Sequence, residues 1–113
     1  MKAMLIMIAI AILFNFLDMI SGLIAAIKNK NVESSKLRDG LFKKVGFVLC
    51  YILGFLVDTQ GPTIGLNLGA QILPVIILFA VMTEITSIIE NICNINPEIL
   101  PETLKKIFKL EVK

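Results

Sequence analysis

The sequence predicts an all-α membrane protein with three transmembrane helices and a short C-terminal amphipathic helix. Of the 113 residues, 57% are hydrophobic and 18% are charged, whereas an average soluble domain has about 45–50% apolar and about 25% charged residues. The apolar residues are also gathered into long segments, which is typical of helices that cross a bilayer. We expect a single integral membrane domain over residues 1–113.

The first apolar segment, residues 3–27, is long enough to cross a bilayer, because about 20 helical residues at 1.5 Å each match a hydrocarbon core of roughly 30 Å. Asp18 lies inside this segment. A carboxylate at the bilayer centre costs roughly 2.5–3.5 kcal/mol on insertion scales, so such a residue usually has a partner or a function. A cleaved signal peptide is the alternative, but the apolar part of a signal is only about 7–15 residues long.

The second and third spans are expected at about residues 41–57 and 72–92. In the second span, Gly46, Cys50 and Gly54 are spaced four residues apart. This spacing places small residues on one helix face, where another helix can approach closely.

The first span has a comparable small residue, Gly22, beside its polar positions. Between the second and third spans, residues 58–71 contain Pro62 and three glycines spaced four apart. This pattern fits either a loop or a further packing face, and the sequence leaves both open.

Basic residues determine the expected orientation. Residues 28–44 form a polar connection of net charge +4, with six basic residues, Lys28, Lys30, Lys36, Arg38, Lys43 and Lys44. Short basic loops stay in the cytoplasm, so this cytoplasmic basic loop predicts an N-out, C-in topology. The tail, residues 94–113, then lies inside and is expected to form a short amphipathic helix from about Glu102. This helix has Leu104, Ile107, Phe108 and Leu110 on one side and Lys105, Lys106 and Lys109 near the other. It could rest on the membrane surface or form an ordinary solvated tail.

Polar residues recur on one side of the first and third spans. Asn15 and Asp18 share a face of the first span with several small residues. In the third span, six polar residues fall within an arc of roughly 160°, namely Thr83, Glu84, Thr86, Ser87, Glu90 and Asn91. Such faces cannot lie against lipid without a large cost in unpaired polar groups. We therefore expect them to meet each other or further copies of the chain.

Two interpretations of these faces remain open. They could form an internal contact in one bundle, for example a protonated Asp18 hydrogen-bonded to Ser87 or Asn91. Alternatively, they could meet between subunits of a homo-oligomer and line a water-filled opening, with Asn15, Asp18, Glu84, Ser87, Glu90 and Asn91 on its wall. A trigger could switch a chain that is stable in both arrangements.

Four short motifs run along the chain: Leu17-Asp18-Met19-Ile20-Ser21-Gly22, Ala-Ala-Ile-Lys at 25–28, Ser34-Ser35 through Gly40 to Lys43-Lys44, and Glu84 with Ser87-Ile88-Ile89-Glu90-Asn91 before Pro97 and Pro101. Together they resemble the phage holins that are grouped with clostridial toxin-secretion proteins. The resemblance covers nearly the whole chain and is weakest over 58–82. The resemblance implies that the residues most relevant to function are Asp18, Gly22, Gly40, Lys43, Glu84, Ser87, Glu90 and Asn91.

This resemblance implies a multi-pass protein of the bacterial cytoplasmic membrane that oligomerises in the lipid bilayer and opens lesions for host cell lysis. Such lesions release an endolysin or, in the toxin relatives, a toxin, without a required direct contact. One alternative is a small ion- or proton-coupled channel or transporter in which Asp18 and Glu84 bind a cation. Another is a passive membrane adaptor that recruits a partner through residues 28–44 or the tail.

The composition argues against other classes. The chain has no His, and its two cysteines, Cys50 and Cys93, are 43 residues apart. Zinc sites need clustered ligands and nucleophilic catalysis needs an activating base, so we expect no metal, no cofactor and no enzyme activity. The net charge of +2 is too small to indicate nucleic-acid binding.

Overall fold

The computed structural model describes residues 1–107, which form four α-helices. These are α1 (Lys2–Lys28), α2 (Ser34–Gln60), α3 (Leu73–Ile95) and α4 (Glu102–Ile107). α1, α2 and α3 are each long and apolar enough to cross a membrane. The predicted all-helical fold, with three helices able to span a membrane and a short C-terminal helix, is confirmed.

The most extensive helix contact joins α1 to α3, although α2 lies between them in the chain. Small residues allow this close approach, since Ala11 on α1 and Ala80 on α3 are both almost completely buried. Tyr51 of α2 and Leu73 of α3 complete the centre of the apolar core. The outer faces carry exposed Leu, Ile and Phe side chains, as expected of helices surrounded by lipid.

One difference from the sequence prediction lies at the start of α2. Residues 34–44 were expected in a polar connection, but α2 begins at Ser34 and continues through them. Polarity alone does not end a helix, and Lys, Leu and Arg are good helix formers. The connection between α1 and α2 is therefore short, and residues 34–39 form an exposed, water-compatible helix.

The connection between α2 and α3 is not a continuous helix. A single 3₁₀ turn, Gly61–Ile64, follows α2, and Gly65 and Gly69 adopt φ angles of 85° and 79°. Such angles suit glycine because it lacks a Cβ. The Asp58 carboxylate accepts hydrogen bonds from the backbone N–H groups of Ile72 (2.9 Å) and Leu73 (2.7 Å). Asp58 thereby supplies acceptors for amides at the start of α3, which a helix leaves unpaired.

The ends of α1 and α3 are held together at one end of the bundle. The Lys28 ammonium donates a hydrogen bond to the Ile95 carbonyl, and the Asn29 amide donates one to the Asn94 carbonyl at 3.3 Å. Because only five residues, 29–33, separate the end of α1 from the start of α2, the amino end of α2 lies here too. We call this region, where 28–36 and 94–95 meet, the basic end.

The tail after α3 turns at Asn96 and forms α4. Lys105 was expected on the polar side of this helix, but it is buried and donates hydrogen bonds to the Pro97 carbonyl (3.0 Å) and to Glu102 (3.3 Å). These two acceptors provide the hydrogen bonds that the buried ammonium needs. The predicted contributions of Phe108, Lys109 and Leu110 lie outside the described residues.

Candidate functional site

Three charged side chains, one from each long helix, meet inside the bundle. The Lys44 ammonium of α2 donates hydrogen bonds to Asp18 of α1 and to Glu84 of α3, the second at 2.5 Å. Glu84 has no exposed side-chain surface, and the side chains of Lys44 and Asp18 keep only 10% and 11% of theirs. We call Asp18, Lys44 and Glu84 the three-charge cluster.

The register of the helices brings these residues to one level. Asp18 and Lys44 each lie ten residues from the basic end of their helices, which is about 15 Å at 1.5 Å per residue, and Glu84 lies about 17 Å from the end of α3. The three-charge cluster therefore lies at one level inside the bundle, about three helical turns from the basic end. Each acid and the base have a partner that lipid could not provide.

Neutral side chains extend the cluster on both sides. The Asn15 amide donates to Glu84 Oε2 at 2.9 Å, and the Tyr51 hydroxyl donates to Asn15 Oδ1 at 2.9 Å. On the other side, the Asn91 amide donates to Asp18 Oδ1 and contacts Ser21 Oγ, both at 3.0 Å. Hydrogen bonds to ionised groups are stronger than those between neutral groups, so this network ties the three helices together.

The cluster has an excess of acid. Two carboxyl groups share one ammonium, and Glu84 Oε1 is buried without a hydrogen-bond partner among the described residues. No group of His, Cys, Asp and Glu within the described residues could hold a metal ion. The three-charge cluster thus joins the three long helices through one ammonium that two carboxylates share.

The structure separates the six residues predicted to line a polar face. It brings Asn15, Asp18, Glu84 and Asn91 together within one chain. Ser87 is half-buried beside a groove near them. Glu90 is exposed and takes no part in the network. In the single chain, the polar faces of α1 and α3 are therefore turned toward each other.

The small residues predicted for helix packing are also used unequally. A Cβ at Gly54 would lie 3.1 Å from the Leu73 Cα of α3, and one at Gly22 would lie 3.4 Å from the Asn91 side chain. A Cβ at Gly46 would have no neighbour within 4 Å, and Cys50 is exposed. Within the chain, close approach is therefore made at Gly22 and Gly54.

The predicted basic loop contains one residue with a different environment. Lys28, Lys30, Lys36, Arg38 and Lys43 are exposed, but Lys44 is buried in the three-charge cluster. The reason is that α2 starts at Ser34, so Lys44 belongs to a helix rather than to a loop and lies on the side of that helix that contacts α1 and α3. The signal that could have revealed this role is the pair of acids, Asp18 and Glu84, within apolar spans, since buried acids need a counter-ion.

Sequence reasoning also missed Tyr51 and Ser21. Tyr51 is the chain's single tyrosine, and its hydroxyl is aimed at Asn15 from the middle of α2. A buried tyrosine usually finds a hydrogen-bond partner. A single tyrosine inside an apolar span was therefore the signal that a polar side chain lies nearby. Ser21 lies one turn after Asp18 and gave no separate pattern.

These features define a class: a small integral membrane protein with three spanning helices, an apolar outer surface and an internal network of charged and polar side chains. The sequence model of the bacteriophage holin family matches residues 2–111. The chain belongs to this family. It is a non-enzymatic, multi-pass protein of the cytoplasmic membrane that acts in host cell lysis. No curated protein and no solved structure gives a significant match.

Proposed function

We propose that this holin opens lesions by homo-oligomerisation, and that the three-charge cluster keeps the single chain in a sealed form before opening. The observation that carries the proposal is the placement of Asp18, Lys44 and Glu84, one on each long helix, with their polar groups paired inside the bundle. A chain in this form presents an apolar surface to lipid and leaves the membrane intact.

Opening exchanges these internal partners for water. A lesion needs wettable walls, and Asn15, Asp18, Glu84, Ser87 and Asn91 are the side chains that can supply them. Charged groups that line an aqueous lumen regain the hydration that lipid denies them. Glu90 is already exposed in the sealed form and adds to the same wall in the assembly.

α2 is the first helix to move in this proposal. α1 and α3 share the most extensive contact, whereas α2 makes fewer contacts with either. Its polar attachment to them consists of Lys44 in the three-charge cluster and the Tyr51 hydroxyl. Loss of these few interactions frees α2 and uncovers α1 and α3, whose polar faces then separate and come to line the lesion.

Neighbouring copies would meet through the outer face of α2. Gly46 and Cys50 have open space around them in the single chain, and small residues permit close helix approach in lipid. Gly54 lies on the same stripe but already contacts α3. The proposed homo-oligomer therefore uses Gly46 and Cys50 for contacts between copies.

The proposed orientation is N-out and C-in, because the basic residues of 28–44 favour the cytoplasmic side. Passage through the lesion would release an endolysin or, as in the toxin-secretion relatives that the sequence resembles, a toxin. This functional link needs no direct contact with the cargo, since a sufficiently wide opening is not selective.

A reversible disulfide between α1 and α3 tests the proposal. Gly22→Cys and Asn91→Cys, in a chain with Cys50→Ala and Cys93→Ala, place two thiols where the Asn91 side chain already lies 3.4 Å from a Cβ at Gly22. This is compatible with disulfide geometry. The oxidised protein should insert into liposomes but release no trapped dye or folded protein, and reduction should restore release.

The same sample provides its own control, since oxidised and reduced proteins have identical sequences. Equal release before and after reduction would show that the polar faces need not separate, and would contradict the proposal. Release of ions alone, at every protein density, would favour the ion- or proton-coupled channel instead.

A further inference from the structure

A groove runs from the basic end toward the three-charge cluster. It lies between the second half of α1, the first half of α2 and the end of α3, and its volume is about 460 Å³. Asn31 and Lys36 line it near the basic end, Ser87 and Asn91 line it further in, and Asp18 and Lys44 line its deepest part. By helix rise, Ser87 lies about 12 Å from the end of α3.

We infer that this groove is a blind, water-filled vestibule, which admits small hydrophilic molecules from the basic end as far as Asp18 and Lys44. Its volume has room for on the order of ten water molecules, and its wall offers polar partners at each depth, which is what stable hydration requires. Lipid tails in the same space would lie against an ion pair, amides and a hydroxyl, at the cost of their hydrogen bonds.

The cluster itself supports hydration from this side. An ammonium has three N–H donors and a carboxylate accepts several hydrogen bonds, yet Lys44 has two acceptors and Asp18 two side-chain donors among the described residues. Both line the groove and keep about a tenth of their side-chain surface exposed, whereas Glu84 does not line it and is fully buried. Water in the groove can supply the missing partners.

The vestibule is closed beyond the cluster. Toward the opposite end of the bundle, Ala11, Tyr51, Leu73 and Ala80 are all at most 1% exposed. These side chains form a dry, close-packed region with no room for a continuous water path. Water thus reaches the middle of the bundle from one face of the membrane and not from the other.

Thiol labelling in liposomes tests this inference with a membrane-impermeant charged maleimide. Ser87→Cys, nearly identical in shape to serine, is placed in a chain with Cys50→Ala and Cys93→Ala. The matched control is the native Cys93, kept alone by Cys50→Ala, because it lies nearer the basic end than Ser87 but is buried and does not line the groove. Asn31→Cys, in the exposed turn, marks the basic end.

Ser87→Cys should react at least about tenfold faster than Cys93, because the reactive thiolate forms in water. It should also be labelled from the same side of the membrane, and in the same fraction of molecules, as Asn31→Cys. Gly40→Cys, at a position with no atom within 4 Å of an added Cβ, should behave in the same way and replaces Ser87→Cys should that variant fail to fold.

Two results would overturn the inference. Labelling of Ser87→Cys and Gly40→Cys as slow as that of Cys93, with normal labelling of Asn31→Cys, would mean that lipid fills the groove. Labelling of Ser87→Cys from the side on which Asn31→Cys is protected would mean that the vestibule is not blind. Both results are read at a protein density at which the liposomes retain trapped dye, so the sealed-form proposal is tested separately.

Discussion

The Lys44 ammonium is shared by carboxylates from two different helices. Its removal should therefore lower the free energy of unfolding by more than the removal of a surface lysine does. An exposed ion pair contributes roughly 0–1 kcal/mol, and the Lys36–Glu33 pair, at 3.8 Å with side chains 65% and 50% exposed, is of that kind. A buried pair that loses one partner leaves an uncompensated charge in a medium of low polarity. The two lysines therefore provide a matched comparison.

Lys44→Met should lower the free energy of unfolding by about 3–5 kcal/mol, because it leaves Asp18 and Glu84 buried without their counter-ion. Lys36→Met should change it by less than about 1 kcal/mol. The measurement is unfolding in mixed detergent micelles, followed by circular dichroism.

A triple variant separates charge from packing in that experiment. Lys44→Met with Asp18→Asn and Glu84→Gln removes all three charges while keeping similar volumes, and replacement of a whole buried ionic group is often neutral or stabilising. We expect it to recover most of the stability lost in Lys44→Met. A triple variant as unstable as the single one would show that the lysine acts through its packing instead.

The sequence predicted four of the seven side chains in the polar network. Asp18, Asn15, Glu84 and Asn91 stand out because polar residues are costly inside apolar segments. Lys44 did not, because it ends a basic run that topology alone explains, and its partners lie 26 and 40 residues away in the chain. Nothing in local periodicity reports such a distant pairing.

The packing of α2 against α3 depends on the absence of a side chain at Gly54. An added Cβ would meet the Ile76 side chain at 3.0 Å and the Leu73 Cα at 3.1 Å. The second contact is with backbone, which cannot move aside as the end of a flexible side chain can. Gly46, two turns earlier on the same helix, has no such neighbour.

Gly54→Ala should therefore lower the free energy of unfolding by about 1–3 kcal/mol, the usual cost of overpacking. Gly46→Ala should cause no loss, because space is open there and Ala favours a helix over Gly. Both are measured in the same micelle assay. Equal losses in the two variants would indicate that helix flexibility, rather than contact with α3, explains the effect.

The elements themselves were largely predictable because long apolar segments report spanning helices directly. Their ends were less so. The start of α2 was missed because charge does not report where a helix begins, and Ser34–Lys44 is compatible with both a loop and a helix. Asp58 gave no signal beyond closing the second span, since its role in capping α3 depends on the path of the connection.

For the whole molecule, the distribution of charge gives the two ends of the bundle different environments. The basic end carries Lys28, Lys30 and Lys36, whereas the connection at the opposite end, residues 58–71, has Asp58 and no basic residue. Basic residues also interact favourably with anionic lipids of the cytoplasmic leaflet, at about 1 kcal/mol each near the surface. This asymmetry underlies the proposed N-out, C-in orientation.

The orientation can be measured in bacterial spheroplasts. Asn31→Cys and Asn67→Cys, each in a chain without Cys50 and Cys93, place thiols in exposed positions at opposite ends of the bundle. An impermeant maleimide should label Asn67→Cys in intact spheroplasts and Asn31→Cys after permeabilisation. The reverse pattern would show that the basic end faces outward.

The order in which the helices are made has a consequence for insertion. Asn15 and Asp18 belong to the first helix, but Glu84 and Asn91 follow only after about 66 further residues, which is some 3–13 s of translation at roughly 5–20 residues per second. During that interval the young first helix has no third helix to pair with. Lys44 of α2 follows Asp18 after only 26 residues and can pair with that acid earlier, but the rest of the polar side must stay in contact with water or with the insertion machinery until α3 is made.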